Sequence, residues 1–256
     1  MSDEILFSSI KEIVESHEED HGAIDISSIE YIENFACQNH VAISIFDQEQ
    51  WKYLYYSQNY YDFFGVKKSE AKPEFPLGYQ HMFQDASQIR KFVRIQDEII
   101  NEFSNDELVQ LSITICGFSI NNEKGKKMRL IMQSKPIAFT SENKLKVTLN
   151  NLRDVRYLLD EEGIWLRISS DDNVFHWSRD KESFCKGDIL SVREKEVLRE
   201  WMLGKNILEI TNSLFISSNT VKNHLKSMRK KLLARDNTAL VELALLSGII
   251  KPTYLF

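Results

Sequence analysis

The sequence predicts an α+β domain with an antiparallel sheet, followed by a small all-α domain of four helices. Between residues 41 and 177, apolar and polar residues alternate along several short segments that turn-forming residues separate. This period of two is typical of antiparallel strands, and stretches of helical spacing precede and interrupt it. From residue 189 onward only the helical spacing remains. A chain of 256 residues is also long enough for two domains.

These patterns divide the chain into four predicted parts. Residues 1–36 form an N-terminal helical segment, and residues 37–177 form the sheet domain. Residues 178–188 follow neither period and are the predicted linker, and residues 189–256 form the helical domain. Within the sheet domain, an apolar stripe from Tyr79 to Phe103 predicts one or two helices. Because helices precede and interrupt the strands, the first domain is predicted to be α+β.

The strand patterns are strictest around one predicted hairpin. Apolar residues occupy every second position from Val109 to Ile115, and the turn-forming run NNEKGK follows at residues 121–126. The returning strand carries Met128, Leu130 and Met132 at alternate positions. Further strands are predicted at residues 41–46, 53–56, 145–149, 164–168 and 174–177. The alternation predicts a sheet with one buried face.

Composition favours a soluble, cytoplasmic protein without a disulfide framework. No apolar run approaches the ~18 residues that cross a bilayer, and the acidic N-terminus does not resemble a signal peptide. Cys37, Cys116 and Cys185 are widely spaced and odd in number, so we expect them to be buried, reduced thiols. His17 and His21 lie four residues apart without an evident third ligand, so no metal site is predicted.

The net charge of −6 hides an asymmetry between the two domains. From Gly187 onward the chain carries 11 Lys and Arg residues and 7 Asp and Glu residues, against 21 and 31 in the remainder. A basic module joined to an acidic partner is typical of a nucleic-acid-binding protein. The acidic part should repel nucleic acid and restrict contact to one surface.

The start of the helical domain carries clear helix-boundary signals. Ser191 and Glu194 form a capping box, and Gly204 favours the end of the first helix near Met202, with Val197, Leu198 and Trp201 buried. A second helix is predicted from Ile207 to Leu214. The turn at residues 215–218 then offers Ser217 or Ser218 as the N-cap of a third helix.

The third helix has one apolar face and one basic face. Val221, Leu225, Met228 and Leu232 recur at helical spacing and are predicted to face inward. The residues left outside are Asn219, Thr220, Lys222, Asn223, Lys226, Arg229 and Lys230. Hydroxyl, amide and ammonium groups suit base edges, and Lys and Arg suit phosphates, so this helix is predicted to lie in a DNA major groove.

The motifs LSVREKEVL, LFIS, TVKNH and KL resemble the LuxR-type (GerE-like) helix-turn-helix family. The resemblance covers about a quarter of the chain, and it implies a transcriptional regulator whose third helix reads double-stranded DNA. By position, it implies base contacts from Thr220, Lys222, Asn223 and Lys226, and backbone contacts from Arg229 and Lys230. It assigns Val221 and His224 to holding the helix in place. A fourth helix that commonly dimerises implies a homodimer on an inverted repeat.

Three residues depart from the family pattern. Thr211 stands where alanine is usual, Leu208 where a polar residue is usual, and Leu233 where a small residue is usual. A looser bundle or an additional interface patch would explain them. They keep open an alternative in which the helical domain, with Leu208 in the patch, makes protein contacts in a sensor or interaction protein.

The segment from Val41 to about Val155 resembles a PAS sensory domain. Ser57, Gln58 and Asn59 follow its second strand, and Phe64 and Gly65 end the short helix after it, as in that family. A receiver domain is disfavoured because it needs a parallel sheet, whereas an acyl-homoserine-lactone-binding domain remains an alternative. The resemblance implies a sensory domain that controls the DNA-binding domain.

Aromatic residues are dense in the first part of the predicted sheet domain. Dense aromatic residues would line an apolar small-molecule pocket or, as we favour, form core and dimer interface. They are Trp51, Tyr53, Tyr55, Tyr56, Tyr60, Tyr61, Phe63 and Phe64. No Cys or His stands in a flavin or haem context, so no cofactor is predicted. Catalytic motifs are likewise missing from the sequence, which predicts a protein that is not an enzyme.

Overall fold

The computed structural model describes residues 26–76, 100, 102–108, 110–142, 144–178 and 181–251. The first apolar pattern of the N-terminal segment and most of the predicted helix from Tyr79 to Phe103 lie outside these residues. The second N-terminal pattern forms helix α1, Ile26–Gln38, which crosses the predicted boundary at residue 36. Among the described residues, no helix is long and apolar enough to span a membrane.

The strands form one antiparallel sheet, which confirms the predicted α+β class. In the described residues its order is β2-β1-β5-β4-β3-β6-β7-β8, and all neighbouring strands run antiparallel. The strands are β1 Ala42–Asp47, β2 Lys52–Tyr56, β3 Ser112–Asn121, β4 Lys127–Phe139, β5 Leu145–Asp154, β6 Trp165–Ser169, β7 Val174–Ser178 and β8 Ser183–Lys186. This arrangement excludes the parallel sheet of a receiver domain.

Short helices follow the second strand as predicted. Helix α2, Asn59–Phe64, ends at Gly65, whose φ of 72° is left-handed and therefore suits glycine. A 3-10 turn at Lys68–Glu70 and helix α3, Asn105–Leu108, complete the described helices of the sheet domain.

Four helices make up the described part of the helical domain, as predicted. They are α4 Val192–Met202, α5 Ile207–Leu214, α6 Ser218–Leu232 and α7 Asn237–Leu246.

The predicted linker contains a strand that sequence analysis missed. Within residues 178–188, β8 pairs with β7 from Phe175 opposite Lys186 to Ser178 opposite Ser183. The apolar residues of β8, Phe184 and Cys185, are adjacent, so the strand lacks a period of two. Its stabilisation comes from the neighbouring strand, where the Trp177 ring lies 5.5 Å from that of Phe184.

The first face of the sheet carries the main core of the sheet domain. Tyr60, Tyr61 and Phe64 of α2 pack there against apolar residues of the strands. The Tyr60 hydroxyl donates to Ser44 Oγ at 2.6 Å, and the Tyr61 and Phe75 rings stack 4.6 Å apart. The aromatic residues of α2 are thus buried in the core, whereas Trp51 at the β1–β2 turn is exposed.

The second face of the sheet is also covered, so the prediction of a single buried face is wrong. Helix α1 places Ile32 and Ala36 against Ile43 and Ile45 at one end of this face. The helical domain covers the other part, where one apolar cluster includes the sheet residues Cys116, Ile131 and Trp165 and the helical-domain residues Val197, Leu225, Leu240 and others. Alternation failed as a guide because β1 turns its apolar residues to this second face, and because polar residues such as Gln133 and Arg167 also have partners there.

The three cysteines are all free, but only Cys116 is buried. Burial raises the pKa of its thiol, in spite of the nearby Arg129. Cys185 is half-buried and Cys37 is exposed, so the expectation of three buried thiols is wrong for these two.

Candidate nucleic-acid interface

Helix α4 begins with the predicted capping box. Ser191 Oγ accepts the Glu194 amide at 3.3 Å, and Glu194 Oε2 accepts the Ser191 amide at 2.8 Å. Gly204, with a φ of 82°, follows the end of the helix at Met202. Val197 and Leu198 are buried as predicted, whereas Trp201 is only half-buried.

The carboxylate of Glu194 also connects α4 to α6. Its oxygens accept hydrogen bonds from Ser227 Oγ at 2.8 Å and from Lys231 Nζ at 2.7 Å. Burial raises the pKa of Glu194, but the bonds from Lys231, the Ser191 amide and Ser227 outweigh it and hold the pKa below its usual range. Sequence reasoning missed this contact because 37 residues separate Glu194 from Lys231.

Helix α5 and the turn after it set the position of α6. Asn206 and Glu209 form a second capping box, which the Asn-x-x-Glu spacing could have predicted. Phe215 ends the helix with a left-handed φ of 55°. The hydroxyls of Thr211 and Ser218 lie 3.2 Å apart, so the departure at Thr211 adds a hydrogen bond between α5 and α6.

Helix α6 has the predicted cap and the predicted buried stripe. Ser217 Oγ accepts the Thr220 amide at 3.0 Å. Val221, Leu225, Met228 and Leu232 are all buried against α4, α5 and α7. The opposite side of the helix therefore faces away from the bundle.

Most of the predicted DNA-contacting residues lie on that opposite side. We call Thr220, Lys222, Asn223, Lys226, Arg229 and Lys230 the reading face. Lys222, Asn223, Lys226 and Lys230 are exposed, and Thr220 and Arg229 are half-buried. The Thr220 hydroxyl lies 2.8 Å from Ser217 Oγ and so takes part in the cap. His224 is half-buried at the edge of this side.

The reading face is electrostatically suited to a polyanion. Within the described part of the chain, Lys222, Lys226, Arg229 and Lys230 form no ion pair, whereas Lys231 is paired with Glu194. The first turn of α6 contains no acidic residue, so the helix dipole at that end also favours an anion. The arrangement can neutralise phosphates while Asn223 is free to contact a base edge.

A cleft separates the reading face from the sheet domain. Its volume is about 500 Å³, and it is lined by Asp160 and Glu161 of the sheet domain, by residues of α6 and by residues 233–235 that follow the helix. The lining residues of α6 are Asn223, Lys226, Ser227, Arg229 and Lys230. The structure thus brings four of the six predicted DNA contacts together in one place. It also places beside them two carboxylates that sequence reasoning did not connect with the site.

A buried ion-pair network lies where the sheet domain meets α4. The Arg167 guanidinium of β6 donates to both carboxylate oxygens of Asp188, at 3.0 and 3.2 Å. Lys195 Nζ of α4 donates to the same carboxylate at 2.6 Å. Burial raises the pKa of Asp188, yet the charges and hydrogen bonds of Arg167 and Lys195 bring it below its usual range. Asp188 therefore joins the two domains as a carboxylate.

The comparison with known families agrees with this geometry. Residues 188–244 match the family described as GerE, bacterial regulatory proteins, luxR family. These residues form a GerE domain of the luxR family. The GerE domain contains α4, α5, α6 and most of α7, and with them the whole reading face. Among the described residues there is no cluster of His, Cys, Asp or Glu that could hold a metal ion, and His17 and His21 lie outside them.

Relatives of this chain are similar to it over short stretches. It is 45% identical over 71 residues to the CsgBAC operon transcriptional regulatory protein of Escherichia coli, which is 28% of this chain and 33% of that protein. It is 35% identical over 78 residues to the transcriptional regulatory protein YvfU of Bacillus subtilis, 30% of this chain and 36% of that one. The chain therefore spans about a third of the length of these relatives.

Similar solved structures cover more of the chain but at low similarity. The Vibrio cholerae VqmA dimer is 19% identical, with 90% of this chain and 92% of that chain covered and a TM-score of 0.34. The Escherichia coli SdiA structure is 19% identical, with 96% and 99% covered and a TM-score of 0.27.

Proposed function

We propose that this protein is a sequence-specific DNA-binding transcriptional regulator. The observation that carries the proposal is the reading face, where unpaired basic side chains and Asn223 lie exposed on α6 of a GerE domain. The acidic balance of the remaining chain supports contact through this one surface. Helix α6, about 22 Å long from its 15 residues, would lie in a major groove about 12 Å wide.

The double variant Lys222→Ala/Lys226→Ala tests this function in the full chain. Binding of a fluorescently labelled random-sequence duplex should fall, because two phosphate-neutralising charges are lost. The slope of log K against log salt concentration should decrease by about 2. A matched control is Lys67→Ala/Lys68→Ala, which removes the same charge from the sheet domain. Equal binding by the two variants across the salt range would refute the assignment of the reading face.

We further propose that the sheet domain is PAS-like and controls the GerE domain. Support comes from the antiparallel strands β1 to β5 in the order 2-1-5-4-3, with α2 and its terminal Gly65 between β2 and β3. The packing of Tyr60, Tyr61 and Phe64 as core favours the structural role of the aromatic residues. A small-molecule ligand, a homodimer on an inverted repeat and a cytoplasmic location complete the proposal, and we propose no enzymatic activity.

A second candidate function is protein contact through α5. Leu208 is 64% exposed and Phe215 is 94% exposed. Leu208 lies in the first turn of α5 and Phe215 is its C-cap, and both are large apolar groups without cover from the described chain. The variant Leu208→Ser/Phe215→Ser should leave duplex binding unchanged, and it should abolish the binding of any partner protein that this patch contacts. If the variant loses duplex binding as strongly as Lys222→Ala/Lys226→Ala, the patch belongs to the DNA interface instead.

A further inference from the structure

Strand β8 forms one edge of the described sheet, and its outer side presents a row of backbone groups. The Gly187 amide donates to the Val174 carbonyl at 2.6 Å, which makes these two residues a hydrogen-bonded pair. Such pairs alternate along an antiparallel ladder, so Cys185 also bonds to β7. The amide and carbonyl groups of Phe184 and Lys186 therefore point away from β7. Among the described residues, no strand pairs with this outer side.

The opposite edge of the described sheet, β2, is less suited to pairing with another strand. The register between β1 and β2 shifts between Ile45 and Phe46. A shift of this kind interrupts the row of edge groups and protects a sheet against edge-to-edge pairing. No shift interrupts the pairing of β8 with β7. The edge of β8 is therefore the more regular template for an added strand.

Two oppositely charged side chains lie on either side of the centre of the β8 edge. Glu182 directly precedes the strand and Lys186 ends it, and both are exposed. Neither forms an ion pair with the described part of the chain. The half-buried Phe184 lies midway between them, with its ring against that of Trp177 on β7. An acidic, an aromatic and a basic residue thus occupy every second position along this edge.

An antiparallel copy of the same edge complements it. When Phe184 faces Phe184 of a second copy, their outward amide and carbonyl groups bond to each other across a twofold axis. The same register brings Glu182 of each copy near Lys186 of the other, and opposite charges on facing strands attract.

Other registers fit less well. A shift by one residue would set the outward groups of one strand against residues whose groups point inward. A register with Cys185 on the axis keeps the backbone bonds but places Lys186 opposite Phe184. Charge complementarity therefore selects the register with Phe184 on the axis.

We propose that the outer edge of β8 is the dimer interface of this protein, where a second copy of the chain pairs antiparallel about Phe184. The short strand and its lysine disfavour pairing with unrelated strands, whereas a second copy supplies the matching charges. The inference rests on the homodimer in the proposed function and names its interface.

This interface also fits the proposed DNA site. The twofold axis of an antiparallel edge pair runs perpendicular to the sheet, so both copies keep the same face on the same side. Helices of the GerE domain cover part of the second face in each copy. Both GerE domains therefore lie on one side of a continuous sheet and are related by the axis, as an inverted repeat requires.

Charge reversal in the full chain tests the interface. Glu182→Lys should raise the dissociation constant of the dimer about tenfold, because two attractions become two repulsions. Glu182→Lys/Lys186→Glu exchanges the two charges and should restore dimerisation to near the wild-type level. Glu49→Lys makes the same charge change at the exposed β1–β2 turn and is the matched control. Sedimentation equilibrium over a range of protein concentrations measures all four proteins.

A crosslink tests the register. With Phe184 on the axis, Ser183 faces Cys185 of the second copy as a non-hydrogen-bonded pair, whose Cα atoms lie about 4.5 Å apart. A disulfide spans this distance. Ser183→Cys, combined with Cys37→Ser to remove the exposed thiol, should therefore give a covalent dimer on a non-reducing gel after mild oxidation. The further substitution Cys185→Ser removes the partner thiol and should abolish this dimer.

Several results would overturn the interface. A dimer that Glu182→Lys does not weaken, or that the charge exchange does not restore, forms through another surface or register. A covalent dimer from Cys37→Ser alone would place Cys185 on the axis instead. A wild-type protein that stays monomeric at every concentration would also refute the proposed homodimer, whereas the duplex-binding experiment tests the DNA-binding function separately.

Discussion

The carboxylate of Glu194 shows how one residue can fix the position of a helix that is distant in sequence. It caps α4 through the Ser191 amide and holds α6 through Ser227 and Lys231. Because Lys231 is neutralised here, it is the basic residue of α6 that is not available to DNA. The orientation of the reading face therefore depends on a side chain that does not belong to it.

We expect Glu194→Gln to destabilise the GerE domain by about 1–2 kcal/mol. The amide keeps one acceptor oxygen but loses the charge that strengthens the bonds from Lys231 and the Ser191 amide. Urea unfolding followed by circular dichroism would measure this loss. Glu196→Gln is the matched control, because Glu196 pairs with Arg193 on the surface of the same helix, where such pairs contribute little. A loss no larger than that of the control would show that Glu194 does not fasten α6.

At the scale of elements, the sequence predicted the helices themselves better than it predicted how they pack on the sheet. The bounds of α5 and the cap of α6 follow from local signals, namely the apolar spacing and Ser217, and the structure confirms them. The hairpin around residues 121–126 is also confirmed, because its turn residues and alternating flanks are local. Elements that depend on their own residues could therefore be predicted.

The missed elements depend on contacts between distant residues. Strand β8 is stabilised by β7, and its own residues do not alternate. Gln133 and Arg167 alternate with apolar neighbours, so the predicted sheet with one buried face would expose them, but both donate hydrogen bonds to α7 and the chain after it. In the candidate site, the inward stripe of α6 was predictable from spacing. The position of Asp160 beside Lys226 was not, because 66 residues separate them and no periodicity connects them.

For the whole molecule, the joint between the sheet and the GerE domain combines an apolar core with charged groups. The apolar cluster that includes Trp165 and Leu233 packs the two domains together. Asp188 adds a buried ion pair to it, since side-chain exposure is 8% for Arg167 and 6% for Asp188. A buried ion pair contributes little net stability, because the cost of removing both charges from water offsets their attraction. The loss of one partner, however, leaves the other charge buried and uncompensated. The joint should therefore be sensitive to changes that remove the charge of Asp188.

Acid removes this charge by protonating Asp188, and the lowered pKa of Asp188 determines at which pH the stability of the protein falls. Because Arg167 and Lys195 lower this pKa in the folded protein, the carboxylate contributes its full stabilisation above about pH 4, the value for an unfolded Asp. That contribution is lost as pH falls through the lower folded pKa. Asp188→Asn should remove it at every pH and destabilise the protein by about 3 kcal/mol at pH 7. Thermal unfolding can be followed by tryptophan fluorescence, because Trp165 lies in the joint. The difference in melting temperature between the variant and wild type should narrow below pH 4.

Asp171→Asn, which removes a carboxylate paired with Lys251 on the surface, is the control and should change stability little at any pH. A constant difference between Asp188→Asn and wild type from pH 7 to pH 3 would mean that Asp188 is not the group whose protonation loosens the joint.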